Sequence, residues 1–397
     1  MSPRLLRPQI NPLDVAAAVI RKADREHPAD AVLREELRAN GAIYRSQSAE
    51  VSRAVFAYYR WFGWLDQRHP LAGQIKHALD LATAFAERPD SFSDEKLMQR
   101  CLPAWIAAHM EVTADWVRSL QREPSLWIRA RRGFTAALRK SLVKTAKSPL
   151  PEALRYAGKE DLFRRPEFQD GEFEIQDIAS QVVSLLCDPQ PGETWWDACA
   201  GEGGKTLHLS DLMQNKGLIW ASDRADWRLK RLKLRTGRAK CFNYRTVFWD
   251  GGEKPPTKTK FDGVLVDAPC AGLGTWQRNP HARWTLTLDD VRELAAIQKT
   301  LLSHVAGSVK PGGKLLYAVC TLSREETTEV AKFADEQLAD FEPLPLPDLL
   351  HAGGPAAPVR WFWPQDLGGN GMFVAAWRRR SAAVKDPSPT PGTSSTP

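Results

Sequence analysis

The chain has 397 residues, of which 43% are hydrophobic and 26% charged, so its composition is that of a globular protein large enough for roughly two or three domains. No run approaches the ~20 uninterrupted apolar residues of a membrane span, and the first residues lack the apolar block of a signal peptide, which predicts a cytoplasmic protein that does not enter a membrane. The formal net charge of +7 favours a polyanionic partner such as nucleic acid.

Residues 1–122 are predicted to form a helical domain. Val51, Val55, Tyr59 and Phe62 recur every three or four residues, as the buried face of one helix does, and no strand-like alternation competes in this part of the sequence. The pattern then becomes mixed and charged. We therefore expect a small linking subdomain over residues 123–175.

Two runs of the chain are strongly basic, residues 122–147 and residues 224–240. Either run alone is as readily explained by a solvated helix face. The first run is interleaved with Trp127 and Phe134, and two such runs in one basic chain favour an RNA or DNA surface. The linking subdomain is therefore a candidate for contact with nucleic acid.

Strand-like and helix-like segments alternate over residues 176–380, which predicts an α/β domain built on a parallel sheet. One connecting helix is predicted in detail, with Thr287 as its cap, acids in its first turn and an apolar face formed by Val291, Leu294, Ile297, Leu301 and Val305. Lys-Pro-Gly-Gly at 310–313 is expected to end this connection before the next strand. Residues 381–397, rich in Pro, Ser and Thr, are predicted to be a disordered tail.

A glycine-rich turn follows the first strand of this domain, where Asp197 is followed by Gly201, Gly203 and Gly204. Glycines let the backbone approach a ligand closely, and the helix that follows presents free N–H groups. The next two strands end near Asp223 and Asp250, and an adenosine-binding fold places its ribose-binding acid ~20 residues after the glycines. The turn lacks the spacing of a phosphate-binding loop, so an adenosine-bearing cofactor is favoured over a nucleoside triphosphate.

Five motifs in this order resemble the RNA cytosine-5 methyltransferases of the Nol/Nop/Sun family, in particular the bacterial Sun or RsmB-like branch. They are DACAGEGGKT (197–206), SDRADWRL (222–229), WDGG (249–252), VDAPCAGLGTWQRNP (266–280) and YAVCTLSREE (317–326). The resemblance covers about residues 125–380, and the helical N-terminal part is similar to the NusB-like RNA-binding domain of that branch. It implies a Rossmann-like domain that uses S-adenosylmethionine to form 5-methylcytosine in RNA.

The resemblance also implies residue roles. Cys320 matches the nucleophile, Cys270 the cysteine that assists product release, and Asp267 a residue between cofactor and target base. Asp223 would bind the ribose of S-adenosylmethionine, and Asp250 would lie near its adenine. The remaining cofactor-binding residues would be Cys199, Ala200, Gly201, Glu202, Gly203, Gly204, Lys205 and Arg228. Glu202 and Val319 depart from the family, which usually has proline and threonine at these positions.

The chemistry requires Cys320 as a thiolate, because cytosine C5 becomes nucleophilic only after a thiolate adds to C6. Ser323-x-x-Glu326 is a capping-box pattern, which predicts a helix N-terminus just after Cys320 whose dipole stabilises that thiolate. Asp267, carrying or sharing a proton, is expected to stabilise the ring at N3. Cys101, Cys187 and Cys241 are predicted to be buried packing residues, and no Cys-x-x-Cys pair indicates a metal site.

Several alternatives stay open at this point. The side chains that follow Cys270 either clamp the RNA or pack the loop; they are Trp276, Arg278, His281 and Trp284. Ribosomal RNA is the expected substrate and transfer RNA the runner-up.

A rival function is that of a non-catalytic RNA-binding assembly factor. The two cysteines and the three strand-end acids argue against it. An amino-group methyltransferase would carry a motif such as Asp-Pro-Pro-Tyr in place of Asp-Ala-Pro-Cys. We expect a monomer without a metal.

Overall fold

The computed structural model describes residues 11–39, 45–351 and 354–381 of the chain. The tail predicted from residue 381 onwards lies outside these ranges, apart from Ser381 itself. The described residues before position 121 form helices and no strand, as predicted. The α-helices of this part are α1 (Pro12–Lys22), α2 (Ala29–Ala39), α3 (Arg45–Arg60), α4 (Leu71–Glu87), α5 (Asp94–Arg100) and α6 (Ala114–Leu120).

The apolar face predicted on α3 forms part of the core of these helices. Val51, Val55 and Tyr59 are buried there. Beyond the end of α3, Trp61 makes an edge-on contact with Phe85, with ring centroids 5.6 Å apart. Side chains that recur every three or four residues thus meet across neighbouring helices. This packing is the reason why the apolar periodicity of the sequence predicts a helical domain.

A small antiparallel sheet follows the helices, with strand order β2-β3-β1-β4. Its elements are β1 (Leu126–Ala130), α7 (Thr135–Ser141), β2 (Thr145–Lys147), β3 (Ala153–Tyr156), α8 (Pro166–Gln169) and β4 (Phe173–Ile175). Much of the apolar side of this sheet is covered by Leu138, Leu142 and Phe168. The region of mixed character in the sequence is therefore a folded unit.

Part of each basic run faces inward, so some of its arginines are not available to the nucleic-acid surface that the two runs favour. Arg129 on β1 is fully buried and bound to Asp211, and Arg131 donates to the same carboxylate at 2.8 Å. In the second run, Arg235 and Arg238 both bind Glu174 of β4. These four arginines fasten the small sheet to the rest of the protein, because a buried charge is tolerated only with a partner.

The C-terminal part is built on an eight-stranded sheet with the order β10-β12-β9-β8-β5-β6-β7, to which β11 adds by pairing with β12. Its strands are β5 (Thr194–Asp197), β6 (Leu218–Asp223), β7 (Tyr244–Phe248), β8 (Phe261–Asp267), β9 (Val309–Val319), β10 (Phe341–Pro343), β11 (Val359–Phe362) and β12 (Met372–Arg379). The five strands β5 to β9 are parallel to one another, and β12 is antiparallel to β9. This arrangement confirms the predicted Rossmann-like α/β class.

Helices cover both faces of this sheet. They are α9 (Ile178–Cys187), α10 (Gly204–Leu212), α11 (Asp226–Arg238), α12 (Ala282–Thr285), α13 (Leu288–Ala306), α14 (Thr328–Gln337) and α15 (Pro364–Leu367). Alternate residues of β8 separate into the two cores, with Val264 and Val266 on the side of α13 and Leu265 on the side of α9. Both faces of the strand are buried, which explains its continuous apolar run.

The helix predicted to start after Thr287 is confirmed as α13, and Thr287 and Asp290 form a capping box. The expectation for Lys-Pro-Gly-Gly was wrong. These residues lie inside β9, where the pairing with β8 shifts between Phe261 and Gly263 and Gly312 takes a φ of +79°. The glycine accommodates an irregularity in the strand, so the local turn signal does not end the element.

The N-terminal helices pack directly on the C-terminal part. Their core includes four buried residues from beyond position 270, namely Leu273, Trp276, Val291 and Leu322. Trp276 stacks on Trp116 of α6, with ring centroids 6.1 Å apart. The segment that follows Cys270 is therefore part of the connection between the two parts. None of the helices in the described ranges has both the length and the apolar character needed to cross a bilayer.

Candidate active site

A cavity of about 580 Å³ opens at the carboxyl ends of the parallel strands. Nearly all of the residues predicted for the site line it; these are Cys199, Ala200, Gly201, Glu202, Gly204, Lys205, Asp223, Arg228, Asp250, Asp267, Cys270 and Cys320. The structure thus brings together residues from five successive strand ends. The volume of the cavity is in the range of small-molecule sites, ~300–1,000 Å³.

Gly203 is the predicted cofactor residue that does not border the cavity. It precedes α10 with a φ of +84°, and a Cβ on it would lie 2.6 Å from Leu232 Cγ of α11. Gly203 is therefore required by the turn and by the close approach of α11 rather than by a ligand.

Gly201 and Asp223 shape the part of the cavity next to the glycine-rich turn. The Gly201 N–H donates to Asp223 Oδ2 at 2.9 Å, and the Ala225 N–H donates to Oδ1 at 2.8 Å. A Cβ on Gly201 would meet nothing within 4 Å, so open space lies beside this backbone. Arg228 Nη1 lies 3.9 Å from Asp223 Oδ2, at the rim.

Glu202 is paired in the structure. Its carboxylate accepts from Arg231 Nη1 at 2.7 Å, and its carbonyl accepts from Arg235 Nη1 at 3.0 Å. The extra negative charge that distinguishes this chain from its family pattern is thereby balanced by α11. Asp250 is exposed, and its Oδ1 accepts from the Gly252 N–H at 2.9 Å.

A buried ion pair lies beneath the cysteines. Lys205 Nζ donates to Asp267 Oδ2 at 2.5 Å, and Asp197 lies fully buried nearby with a hydrogen bond from Thr206 Oγ1 of 2.7 Å. Burial alone would lower the pKa of Lys205, but the charge of Asp267, its hydrogen bond and a contribution from Cys320 raise it. Lys205 therefore carries a positive charge beside Cys320.

The two strand-end cysteines converge. Cys270 and Cys320 are 50 residues apart in sequence, and their Sγ atoms lie 3.3 Å apart as free thiols at the wall of the cavity. The hydrogen bond to Cys320 raises the pKa of Cys270, and burial and the nearby charge of Glu326 add to this effect. The raised pKa favours the protonated form of Cys270, and either sulfur can donate in this contact.

The capping box predicted from Ser323 and Glu326 is wrong. The next α-helix, α14, begins only at Thr328, and no side chain caps it. Ser323 Oγ instead donates to the Glu326 carboxylate at 3.1 Å. A helix dipole therefore does not explain a thiolate at Cys320, and the nearby positive charge is that of Lys205.

Glu326 links the two cysteine segments. It is fully buried, and burial raises its pKa although four hydrogen-bond donors lower it. Oε1 accepts from the Ala271 N–H at 2.8 Å and from Gln298 Nε2 at 3.0 Å, whereas Oε2 accepts from Thr321 Oγ1 at 2.8 Å and from Ser323 Oγ. One carboxylate thus fixes the residue after Cys270 and the residue after Cys320.

The aromatic residues after Cys270 pack the loop, which decides between the two alternatives left open by the sequence. Trp276 and His281 are buried, and Trp284 Nε1 donates to the Tyr59 carbonyl at 2.7 Å. Arg278 Nη2 binds Asp177 at 2.9 Å. These side chains attach the loop to the surrounding protein, and the three rings face the helical part.

The helical part also reaches the segment that follows Cys320. His109 is paired with Glu325, and the Arg324 N–H donates to the His109 carbonyl at 2.8 Å. Together with the packing of Trp276, these contacts hold the segments that carry both cysteines against the N-terminal helices.

Sequence reasoning missed several residues of the cavity wall. Trp249 precedes Asp250 and is buried, and α13 contributes Leu294, Ile297 and Leu301. The apolar face of α13 was predicted, but not that part of it borders the cavity. Ile297 is 40% exposed on that face, so this position borders the cavity and is not part of the core.

The remaining cysteines are not arranged for chemistry. Cys101, Cys187 and Cys241 are buried, as predicted. Cys199 lies in the glycine turn, and burial together with the nearby carboxylates of Asp197 and Asp267 raises its pKa. A thiol with a raised pKa is a poor nucleophile.

Comparison with known proteins agrees with this geometry. Residues 184–378 match the family model described as 16S rRNA methyltransferase RsmB/F. A probable ribosomal RNA small subunit methyltransferase B of Synechocystis sp. is 38% identical over 203 residues, which are 49% of this chain and 45% of that protein. The ribosomal RNA small subunit methyltransferase B of Sodalis glossinidius is 31% identical over 314 residues, which are 76% of this chain and 69% of that protein.

A solved structure shares the fold over nearly the whole chain. The crystal structure of the protein PH0851 has a TM-score of 0.75 and 24% identity and covers 94% of this chain and 100% of its own. By contrast, the sequence match spans about half the length of the Synechocystis relative.

Proposed function

Because the chain belongs to the 16S rRNA methyltransferase RsmB/F family, we propose that it transfers a methyl group from S-adenosylmethionine to C5 of a cytosine in RNA. The proposed substrate is small-subunit ribosomal RNA. The observation that carries this proposal is the 3.3 Å distance between Cys270 Sγ and Cys320 Sγ at the wall of a cavity lined by the glycine turn and the strand-end acids.

The residues around the cavity fit S-adenosylmethionine. Gly201 leaves open space where a ligand can approach the backbone, and Asp223 lies beside it at the end of β6, where such folds bind a ribose. Ile297 and Leu301 offer an apolar wall for an adenine near Asp250. When bound, this cofactor supplies an electrophilic methyl group.

Cys320 is the proposed nucleophile. Its thiolate adds to C6 of the cytosine, and the electron pair displaced from the C5–C6 bond makes C5 nucleophilic. The hydrogen bond from Cys270 and the positive charge of Lys205 both favour negative charge on the Cys320 sulfur. Asp267, held by Lys205, is proposed to accept a hydrogen bond from the N4 amino group of the ring and, where it carries a proton, to donate that proton to N3.

Cys270 is proposed to act after methylation. The C5 proton must then pass to a base, for which solvent water serves, and the electron pair of the C5–H bond re-forms the C5–C6 double bond and expels Cys320 from C6 as a thiolate. Cys270 is the group nearest to the departing sulfur, and its raised pKa keeps a proton available there. A target base in a paired stem must first leave its stack to reach these sulfurs.

The other parts of the chain are assigned by the same proposal. Residues 1–122 form the RNA-binding domain, residues 123–175 a subdomain that contacts RNA through its outward arginines, and residues 176–380 the methyltransferase domain. Arg132 and Arg139 are exposed on the small subdomain and remain available to phosphates. We place the protein in the cytoplasm as a monomer.

Methyl transfer from labelled S-adenosylmethionine tests the proposal. Purified wild-type protein should label a small-subunit ribosomal RNA transcript, and nuclease digestion should recover the label in 5-methylcytosine. Cys320→Ala should bind the labelled cofactor but transfer nothing. Preferential labelling of transfer RNA would change the substrate, whereas cofactor binding without transfer to either RNA would favour a non-catalytic assembly factor. Transfer by Cys320→Ala at the wild-type rate would refute the nucleophile.

A further inference from the structure

A second cavity, of about 630 Å³, lies in the helical part and not at the carboxyl edge of the sheet. Its lining includes the apolar residues Phe85 and Pro89 and three arginines, Arg53, Arg60 and Arg122. Three arginines around one cavity are unusual for a packing void, because like charges repel one another.

Arg60 is the buried member of this group. It ends α3 and is only 4% exposed, yet its guanidinium donates a single hydrogen bond within the described ranges, from Nη2 to the Gln277 carbonyl at 3.2 Å. Its Nε has no partner, and no ion pair within the described ranges joins its guanidinium to a carboxylate, although the charge of Glu123 acts on it from farther away. A buried guanidinium without a counter-ion is costly, so an anion in the cavity would stabilise it.

A second buried arginine adds to this positive charge. Arg283 is fully buried, donates to the carbonyls of Cys101 and Leu120 and to the side-chain oxygen of Gln121, and has an unpartnered Nε. Burial lowers the pKa of Arg283 to about 10, and the charge of Arg60 contributes to the same effect. Both groups stay protonated at neutral pH, so this part of the helical domain holds two buried positive charges, with Glu123 as the acid that acts on Arg60.

The rim is basic and accessible. The side chains of Arg53 and Arg122 are exposed, and the nearest acid is Glu123, whose Oε1 lies 3.8 Å from Arg53 Nε. The side chain of Glu123 is 74% exposed and is therefore free to move aside. The lining thus contains three arginines against one displaceable carboxylate.

We propose that this cavity binds a phosphate group of the RNA backbone, with Arg60 at its base and Arg53 and Arg122 at its rim. Guanidinium groups match phosphate oxygens in geometry, and the apolar side leaves room for the attached sugar. The proposal rests on RNA as the substrate and adds a contact distant in the fold from the two cysteines. Such a contact positions the RNA without reading its sequence.

Binding of a labelled small-subunit ribosomal RNA fragment to the full chain tests this site. The rim variant Arg53→Gln/Arg122→Gln should bind more weakly, and the slope of log K against log salt concentration should become shallower by up to about 0.7, since the cavity takes one phosphate and each single-stranded phosphate contact contributes about 0.7. Glu123→Gln should strengthen binding, because it removes the competing carboxylate. Both variants should bind S-adenosylmethionine like the wild type, because their substitutions lie outside the methyl-transfer site.

The matched control is Arg21→Gln/Lys76→Gln, which removes two charges from exposed positions of the helical part outside the cavity. It should leave the salt slope unchanged. An unchanged slope in the rim variant, or an equal change in the control, would overturn the proposal. So would stabilisation of the wild type by inorganic phosphate combined with unaltered RNA binding by the rim variant, which would indicate a site for a small free anion.

Failure of this inference is distinguishable from failure of the proposed function. RNA binding with the expected slope change but without methyl transfer would refute the activity alone. Normal methyl transfer with an unchanged slope would refute the phosphate site alone.

Discussion

The Oε1 atom of Glu326 accepts a hydrogen bond of 2.8 Å from the backbone N–H of Ala271. This contact joins the residue after Cys270 to a buried residue six positions after Cys320. The same carboxylate binds Thr321, so it sets the positions of both cysteine segments. Glu326 is therefore a positioning residue for the sulfur pair.

Glu326→Gln should slow methyl transfer without weakening cofactor binding. The amide keeps the shape but weakens hydrogen bonds to a charged group, which contribute about 1.5–3 kcal/mol each. A loss of ~1.4 kcal/mol of transition-state stabilisation lowers the rate tenfold, so we expect kcat to fall at least about tenfold. Single-turnover assays with labelled S-adenosylmethionine measure this change. Glu329→Gln, on the exposed side of α14, is the control, and equal kcat values for the two variants would refute the role.

Cys270→Ala should accumulate a covalent protein–RNA adduct. The variant keeps Cys320 for attack but lacks the thiol 3.3 Å away that assists its departure. The adduct is read as a slow-migrating band on a denaturing gel, and ribonuclease should remove the shift. The double variant Cys270→Ala/Cys320→Ala is the control and should give no band. Clean turnover by Cys270→Ala would show that release does not need this thiol.

Asp197→Asn should flatten the pH dependence of stability. Burial raises the pKa of Asp197 from 3.8 to about 7. Between these values the folded protein holds a proton that the unfolded chain has released, so the free energy of unfolding falls as pH rises from about 4 to about 7. Asparagine can still accept from Thr206 and does not titrate.

Urea unfolding at pH 5 and pH 8 measures this effect. On going from pH 5 to pH 8, the free energy of unfolding of the variant should rise relative to that of the wild type. The rise should be at most about 4 kcal/mol, which corresponds to a shift of about three pKa units. Asp90→Asn, at an exposed position, is the control and should follow the wild type. The reverse order of stability at pH 8 would contradict a raised pKa of Asp197.

Trp276→Ala should loosen the N-terminal helices from the rest of the protein. The ring is fully buried against Trp116, and truncating a buried aromatic side chain costs about 3–5 kcal/mol. Limited proteolysis should cut the variant faster near residues 120–125, while cofactor binding persists. Phe242→Ala removes a ring that is 78% exposed and should leave the digestion pattern unchanged. Equal digestion of the two variants would show that this contact does not hold the parts together.

Much of the candidate site followed from the sequence, because its residues are placed by rules that act along the chain. The buried strands β8 and β9 were recognisable as apolar runs, and parallel strands share one carboxyl edge. Cys270 and Cys320 therefore had to lie on the same side of the sheet. The helix cap at Thr287 could also be predicted from the sequence, because its partner Asp290 is only three residues away.

The tertiary structure alone decided the features that depend on distant partners. Ser323 and Glu326 have the spacing of a capping box. The Glu326 carboxylate, however, accepts hydrogen bonds from Ala271 and Gln298, which lie far from it in sequence, and it does not cap a helix. Likewise, the sequence could not show that Arg129 is buried or that Arg60 lacks a counter-ion, because burial and pairing are set by elements that meet only after folding. Short-range patterns determined which elements form, and the pairing of polar groups across those elements determined which side chains surround the two sulfurs.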